Sequence, residues 1–131
     1  MDQDCIFCKI VEGKAPCNKI YEDDEFIAFL DIFPLMEGQT IIIPKQHKGN
    51  YLFDLNDEDY MKLMKITKKI AQAIDKSIQP TKTGMIIEGF ELDHIHVKLF
   101  PLKQGFPLPH KESEFSEEEM KNLAEKIKKS I

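Results

Sequence analysis

Apolar residues along this chain change their spacing several times, and each change marks an element. From residue 57 to about 78, Met61, Met64, Ile66, Ile70, Ala73 and Ile74 recur at close to the helical period. Asn56 stands before this run as an N-cap, acids fill the first turn, and Pro80 lies beyond the end. One long helix is predicted there. Ahead of it, Ile41, Ile42 and Ile43 are consecutive and β-branched, which fits a buried strand over 39–44. Residues 19–22 and 25–31 read as strands turning at Asp23-Asp24, and 33–38, with Pro34 and Gly38, as a loop. A short helical turn over 5–13 ends at Gly13. Residues 85–88 and 92–100 read as a second strand pair. Ser116 and Glu119 form a capping box ahead of Met120, Leu123, Ala124 and Ile127, so a final helix is expected. Five strands, a long central helix and a C-terminal helix predict an α+β fold with an antiparallel sheet, as a single domain over 1–131.

One strand-like run carries chemistry. In Asp93-His-Ile-His-Val-Lys-Leu-Phe-Pro101 alternate side chains share a face. His94, His96 and Lys98 therefore form one row, while Ile95, Val97 and Leu99 face the other way. At a rise of about 3.3 Å per residue, neighbours in the row lie about 6.5 to 7 Å apart, so one phosphate can touch two of them. A neutral imidazole can attack phosphorus if an acceptor orients its far nitrogen, and cations beside it stabilise the phosphoryl oxygens.

Charge narrows the partners. A formal net charge of −5 argues against bulk nucleic-acid binding, and lysines interleaved with glutamates on the helices read as a solvated face. No apolar run approaches a membrane span, and the acidic opening Met1-Asp-Gln-Asp does not read as a signal peptide, so a cytoplasmic location is expected.

Three cysteines without a secretion signal do not predict a disulfide framework. Cys5-x-x-Cys8 is instead a zinc half-site needing two further ligands from histidines 47, 94, 96 and 110. A Cys5, Cys8, His47, His94 set would join the N-terminal segment to two sheet elements. Two thiolates neutralise Zn²⁺, two imidazoles close the shell, and no position stays open for water, so such an ion is structural. Two other readings stand beside it: the thiols as small buried hydrophobes, or His94 and His96 around an open catalytic zinc, for which no carboxylate base has a recognisable spacing. Cys17 is left over, and His110 is expected in an exposed loop.

Five stretches together resemble the histidine triad (HIT) superfamily of nucleotide hydrolases and transferases. They are Cys5-Ile-Phe-Cys-Lys-Ile10, Ile20-Tyr-Glu-Asp-Asp24, Ala28-Phe-Leu-Asp-Ile32, Ile41-Ile-Ile-Pro-Lys-Gln-His47 and His94-Ile-His-Val-Lys-Leu-Phe-Pro101, in the family's order. The resemblance implies a HIT-like fold that dimerises into a ten-stranded sheet and binds a purine nucleotide. It makes His96 the nucleophile, attacking the α-phosphorus of a nucleotide ester, amidate or dinucleotide. It places Phe7, Ile10, Phe29 and Ile32 around the base and sugar, and Asp31 on the ribose hydroxyls. The zinc-containing bacterial-type branch carries its metal at positions matching Cys5, Cys8, His47 and His94, one structural ion per chain.

The chain departs from the family pattern at the phosphate end. The third triad histidine is Lys98, which keeps a positive charge but is a poor proton donor at neutral pH. The polar segment expected ahead of the triad reads Gly89-Phe-Glu-Leu-Asp93; Gly89 remains a substrate-contact candidate, while Phe90 and Glu91 replace polar groups. The histidine expected after the loop glycine is Gln39. A nucleotide hydrolase or transferase with His96 and Lys98 in its catalytic row is the leading expectation. A catalytically impaired nucleotide-binding or interaction protein is the alternative.

Overall fold

The computed structural model describes residues 4–108 and 114–131, so the expectation for His110 lies outside the described residues. Five strands, Lys19–Glu22 (β1), Phe26–Leu30 (β2), Thr40–Pro44 (β3), Lys82–Ile86 (β4) and Val97–Leu102 (β5), form one sheet in the order β1-β2-β3-β5-β4. Every neighbouring pair is antiparallel. Helices cover both faces of its centre: Asp57–Ile78 (α2) on one, and the short Ile6–Val11 (α1) on the other.

This arrangement follows from strand alternation. Phe26, Ala28 and Ile42 point into the cluster that receives Ile66, Ile70 and Ile74 of α2. Ile27, Phe29, Ile41 and Ile43 point the other way and pack against Phe7 and Cys8 of α1. All five residues of β3 are buried, as its unbroken apolar run requires.

Helix α2 has the expected limits. The Asn56 side chain accepts from the Asp59 amide at 2.8 Å, and the helix ends at Gln79, left-handed with φ 55°, just before Pro80. Its buried stripe is Leu63, Ile66, Thr67, Ile70 and Ile74. Met61 and Ala73, expected on that face, are exposed. They lie off the line that the i, i+3, i+7, i+11 spacing from Leu63 draws along the helix.

The last strand pair also departs from expectation. Strand β4 ends at Ile86 instead of running through 88, and the β5 ladder begins only at Val97. The neighbour β4 ends at Ile86 opposite Lys98, and the pairing with β3 stops at Ile42–Val97; upstream of it Ile95 donates to the Gly49 carbonyl at 2.8 Å. The face alternation nevertheless continues backwards. Ile95, Val97 and Leu99 lie in the core under α2, while His94 and His96 meet the ring of Phe7 on the opposite side.

The C-terminal helix Glu117–Lys128 (α3) starts at its Ser116 cap and buries none of its residues. Met120, Leu123 and Ile127 are all exposed along it.

Candidate functional site

Four ligand atoms gather where α1, the end of β3 and the β4–β5 connection meet. Cys5, Cys8, His47 and His94 each offer one atom, and all four lie within 4.8 Å of one another. Cys5 Sγ is 3.3 Å from His94 Nδ1, Cys8 Sγ is 3.3 Å from His47 Nδ1, and Cys8 Sγ is 3.5 Å from His94 Nδ1. A tetrahedron with Zn–S bonds of about 2.3 Å and Zn–N bonds of about 2.0–2.1 Å has S···N edges of about 3.5 Å. The donor set fits such an ion.

The surroundings prepare the ligands. Helix α1 opens with Cys5 as its cap, whose sulfur accepts from the Cys8 amide at 3.3 Å, so one helical turn brings both thiols to one side. His94 is completely buried, and its Nε2 donates to the Pro44 carbonyl at 2.8 Å. That bond leaves the Nδ1 lone pair facing the sulfurs. Burial, with smaller contributions from the neighbouring histidines, pushes the His94 pKa down against the opposing pull of the Pro44 carbonyl. It is therefore neutral, as a metal ligand must be.

His96 stands apart from that cluster. Its Nδ1 donates to the His94 carbonyl at 2.8 Å, and its ring meets the Phe7 ring with centroids 5.2 Å apart. The residue is 4% exposed. Nε2 has no hydrogen-bond partner among the described residues and is not sealed, since the one orphaned buried side-chain polar atom among them is Thr67 Oγ1. An imidazole fixed in this way presents a lone pair on Nε2. The reading of His94 and His96 as joint ligands of an open metal loses its footing, because His96 lies outside the ligand group.

A cavity of about 480 Å³ with mostly apolar walls lies on the far side of Phe7, whose ring meets that of His96; His96 itself is not among the lining residues. Phe7 and Ile10 of α1, Phe29 of β2 and Ile32 just beyond it all line the cavity, together with Asp31. Lys98 and Glu91 line the same space. The volume falls within the range of small-ligand sites. Gly89 does not line it. Its φ is +80°, and a Cβ there would collide with the Asn50 carbonyl oxygen, so the glycine serves a close backbone approach.

Two further residues belong to the site. Gln39, which read only as a departure from the family pattern, is 3% exposed and donates from Nε2 to Asp31 Oδ2 at 2.8 Å. Its Oε1 accepts from the Leu35 amide, and Asp31 Oδ1 accepts from the Phe33 amide at 2.9 Å. The carboxylate is thus aimed by a buried amide. Glu91 Oε2 accepts from Lys98 Nζ at 2.6 Å, and this lysine, with its positive charge, holds the Glu91 carboxyl below the usual range. Cys17 also lines the cavity. Its position after Ala15-Pro16 carried no signal of this.

The chain is similar to known proteins over most of its length. The family model described as HIT domain matches residues 12–105. The adenosine 5'-monophosphoramidase of Schizosaccharomyces pombe is 35% identical over 132 residues, which cover 97% of this chain and 98% of the relative. A crystal structure of a HIT family member from Bacillus subtilis has a TM-score of 0.85 at 30% identity, covering 98% of each chain. A zinc-bound histidine triad family protein from Mycobacterium smegmatis has a TM-score of 0.71 at 28% identity, again over 98% of each chain.

Proposed function

The chain belongs to the HIT-domain family, and from that premise we propose that it acts at the α-phosphorus of a purine nucleotide ester, amidate or dinucleotide through a covalent His96–nucleotide intermediate. One observation carries the reading: His96 Nδ1 is bonded to a backbone carbonyl, which leaves Nε2 as the nucleophilic nitrogen, in the same row as Lys98 and against Phe7, both of which line a cavity of nucleotide size. Phe7, Ile10, Phe29 and Ile32 hold the base and sugar, and Asp31, aimed by Gln39, accepts from the ribose hydroxyls. Lys98 draws the phosphoryl oxygens. As the Nε2–phosphorus bond forms, the bond from phosphorus to the leaving group breaks. Lys98 is a poor proton donor at neutral pH, so the leaving group takes its proton from solvent. Water or another acceptor then displaces the imidazole and releases the nucleotide. The S. pombe relative is an adenosine 5'-monophosphoramidase by name, which makes a nucleoside phosphoramidate the substrate class to test first.

Zinc is the metal we assign to Cys5, Cys8, His47 and His94, supported by the donor set and by the zinc-bound M. smegmatis relative. It would supply structural cross-linking and no reacting group, while Phe7, the second residue of α1, forms cavity wall and ring contact at once. We take the molecule to be one domain over 1–131 that dimerises through β4. The two edges each present one half-exposed apolar side chain, Ile20 of β1 and Met85 of β4, both 47% exposed, but β1 also carries the Lys19–Glu22 and Lys45–Glu22 ion pairs.

The test is His96→Ala. It should abolish turnover of an adenosine 5'-phosphoramidate while leaving AMP affinity within about threefold; unchanged turnover removes the mechanism. The alternative, a nucleotide-binding protein without turnover, is favoured by the Glu91–Lys98 pair, which already occupies the lysine meant for phosphate. Mass-spectrometric detection of a nucleotide on His96 would rule it out.

A further inference from the structure

The Glu91–Lys98 pair sits in the wall of the cavity, at the end where the triad row meets it. A lysine alone at that place would present one full positive charge to any incoming phosphate. Here the carboxylate 2.6 Å from Nζ cancels that charge. Lys98 is largely covered, at 21% side-chain exposure, while Glu91 is 62% exposed, so the carboxylate is the more open of the two charges, and both line the cavity. No other cation among the described cavity-lining residues offsets it, and Asp31 adds a second negative charge at the sugar end.

Resting on the nucleotide reading above, we infer that Glu91 is a specificity-determining residue that filters substrates by the charge of their phosphoryl end. A phosphoramidate or phosphodiester carries one negative charge at the α-phosphorus. A free 5'-monophosphate carries close to two above its second pKa of about 6, and a polyphosphate more. A neutralised lysine gives no Coulombic advantage to the extra charges, and an exposed carboxylate adjoining it repels them. Two unit charges at such separations interact strongly enough that each extra phosphate charge is worth on the order of tenfold in affinity at low salt. The site therefore admits nucleotides whose phosphate is capped by a leaving group and lets the uncapped product go. A histidine in place of Lys98 would need no such counter-charge, since it carries full charge only when protonated.

The experiment compares 5'-AMP with its methyl ester, a singly charged phosphodiester, at pH 8 by calorimetry on the full metal-loaded protein. Wild type should bind the ester at least as tightly as AMP. Glu91→Gln keeps an oxygen acceptor for Lys98 but removes the charge; it should tighten AMP about tenfold and the ester by threefold or less. The gain should fade in 0.5 M NaCl, and Glu91→Asp should keep the wild-type preference. In turnover assays Glu91→Gln should increase product inhibition by AMP and change KM for a capped substrate far less. Equal shifts for both ligands, no shift, or a gain indifferent to salt would overturn the charge filter while leaving the nucleotide reading in place. Wild-type protein that binds neither ligand would overturn both.

Discussion

At Gly89 the main chain passes so close to Asn50 that a methyl group would meet its carbonyl oxygen, and the φ of +80° disfavours any L side chain. Gly89→Ala should therefore lower stability by about 1–3 kcal/mol, read from urea or thermal denaturation. Gln39 shapes the site differently, through one hydrogen bond. Gln39→Ala frees the Asp31 carboxylate and should raise KM about fivefold with little change in kcat, the worth of roughly one hydrogen bond. Equal effects on both constants would show that Gln39 does more than aim Asp31. The row of His94, His96 and Lys98 was legible because alternation is a property of extended chain, whether or not a ladder is present. The partners of Asp31 and Lys98 were not legible. Gln39 lies eight residues from Asp31, and Glu91 seven from Lys98, and each pair is joined only by the turn between them.

Among the elements, α2 was read at the right length and with Ile66, Ile70 and Ile74 on its buried face, but Leu63 was missed while Met61 and Ala73 were included. Leu63 is fully buried and Ala73 exposed, so Leu63→Ala should cost about 2–5 kcal/mol and Ala73→Gln no more than about 0.5 kcal/mol. A reversed order would mean that the helix is rotated. Met61 misled because methionine is apolar without being committed to the core, whereas Met64 does pack against it. The β1–β2 turn makes a pH-dependent prediction. Asp23 Oδ1 accepts from the amides of Glu25 and Phe26, and Oδ2 from the Tyr21 hydroxyl. Partial burial opposes ionisation of Asp23, but the Tyr21 hydroxyl and those amides outweigh it and lower the pKa. A depressed folded-state value contributes stability above the unfolded value of about 3.9, and loses it as the pH falls through the folded one. Asp23→Ala should thus cost about 1–2 kcal/mol at pH 7, with the gap to wild type closing in acid.

For the molecule as a whole, the metal clip and the cavity share α1. Strong chelators should remove one zinc per chain, lower the melting temperature and weaken nucleotide binding together, because Phe7 is wall to one and neighbour to the other. Zinc should also escape as the pH falls, since protons compete for thiolate and imidazole; loss of metal without loss of nucleotide affinity would separate the two. The sheet, the long helix and the gathering of Cys5, Cys8, His47 and His94 were foreseeable from spacing and resemblance, whereas the late start of β5 was not, since its neighbour β4 ends at Ile86 opposite Lys98. The hydrogen bonds that orient the two inner histidines run to peptide oxygens, of Pro44 for His94 and of His94 for His96. Every amino acid carries such an oxygen. The tautomers of the proposed metal ligand and the proposed nucleophile are thus insulated from side-chain drift at Pro44, and genetic change can reach them only by bending the backbone or replacing the imidazoles themselves.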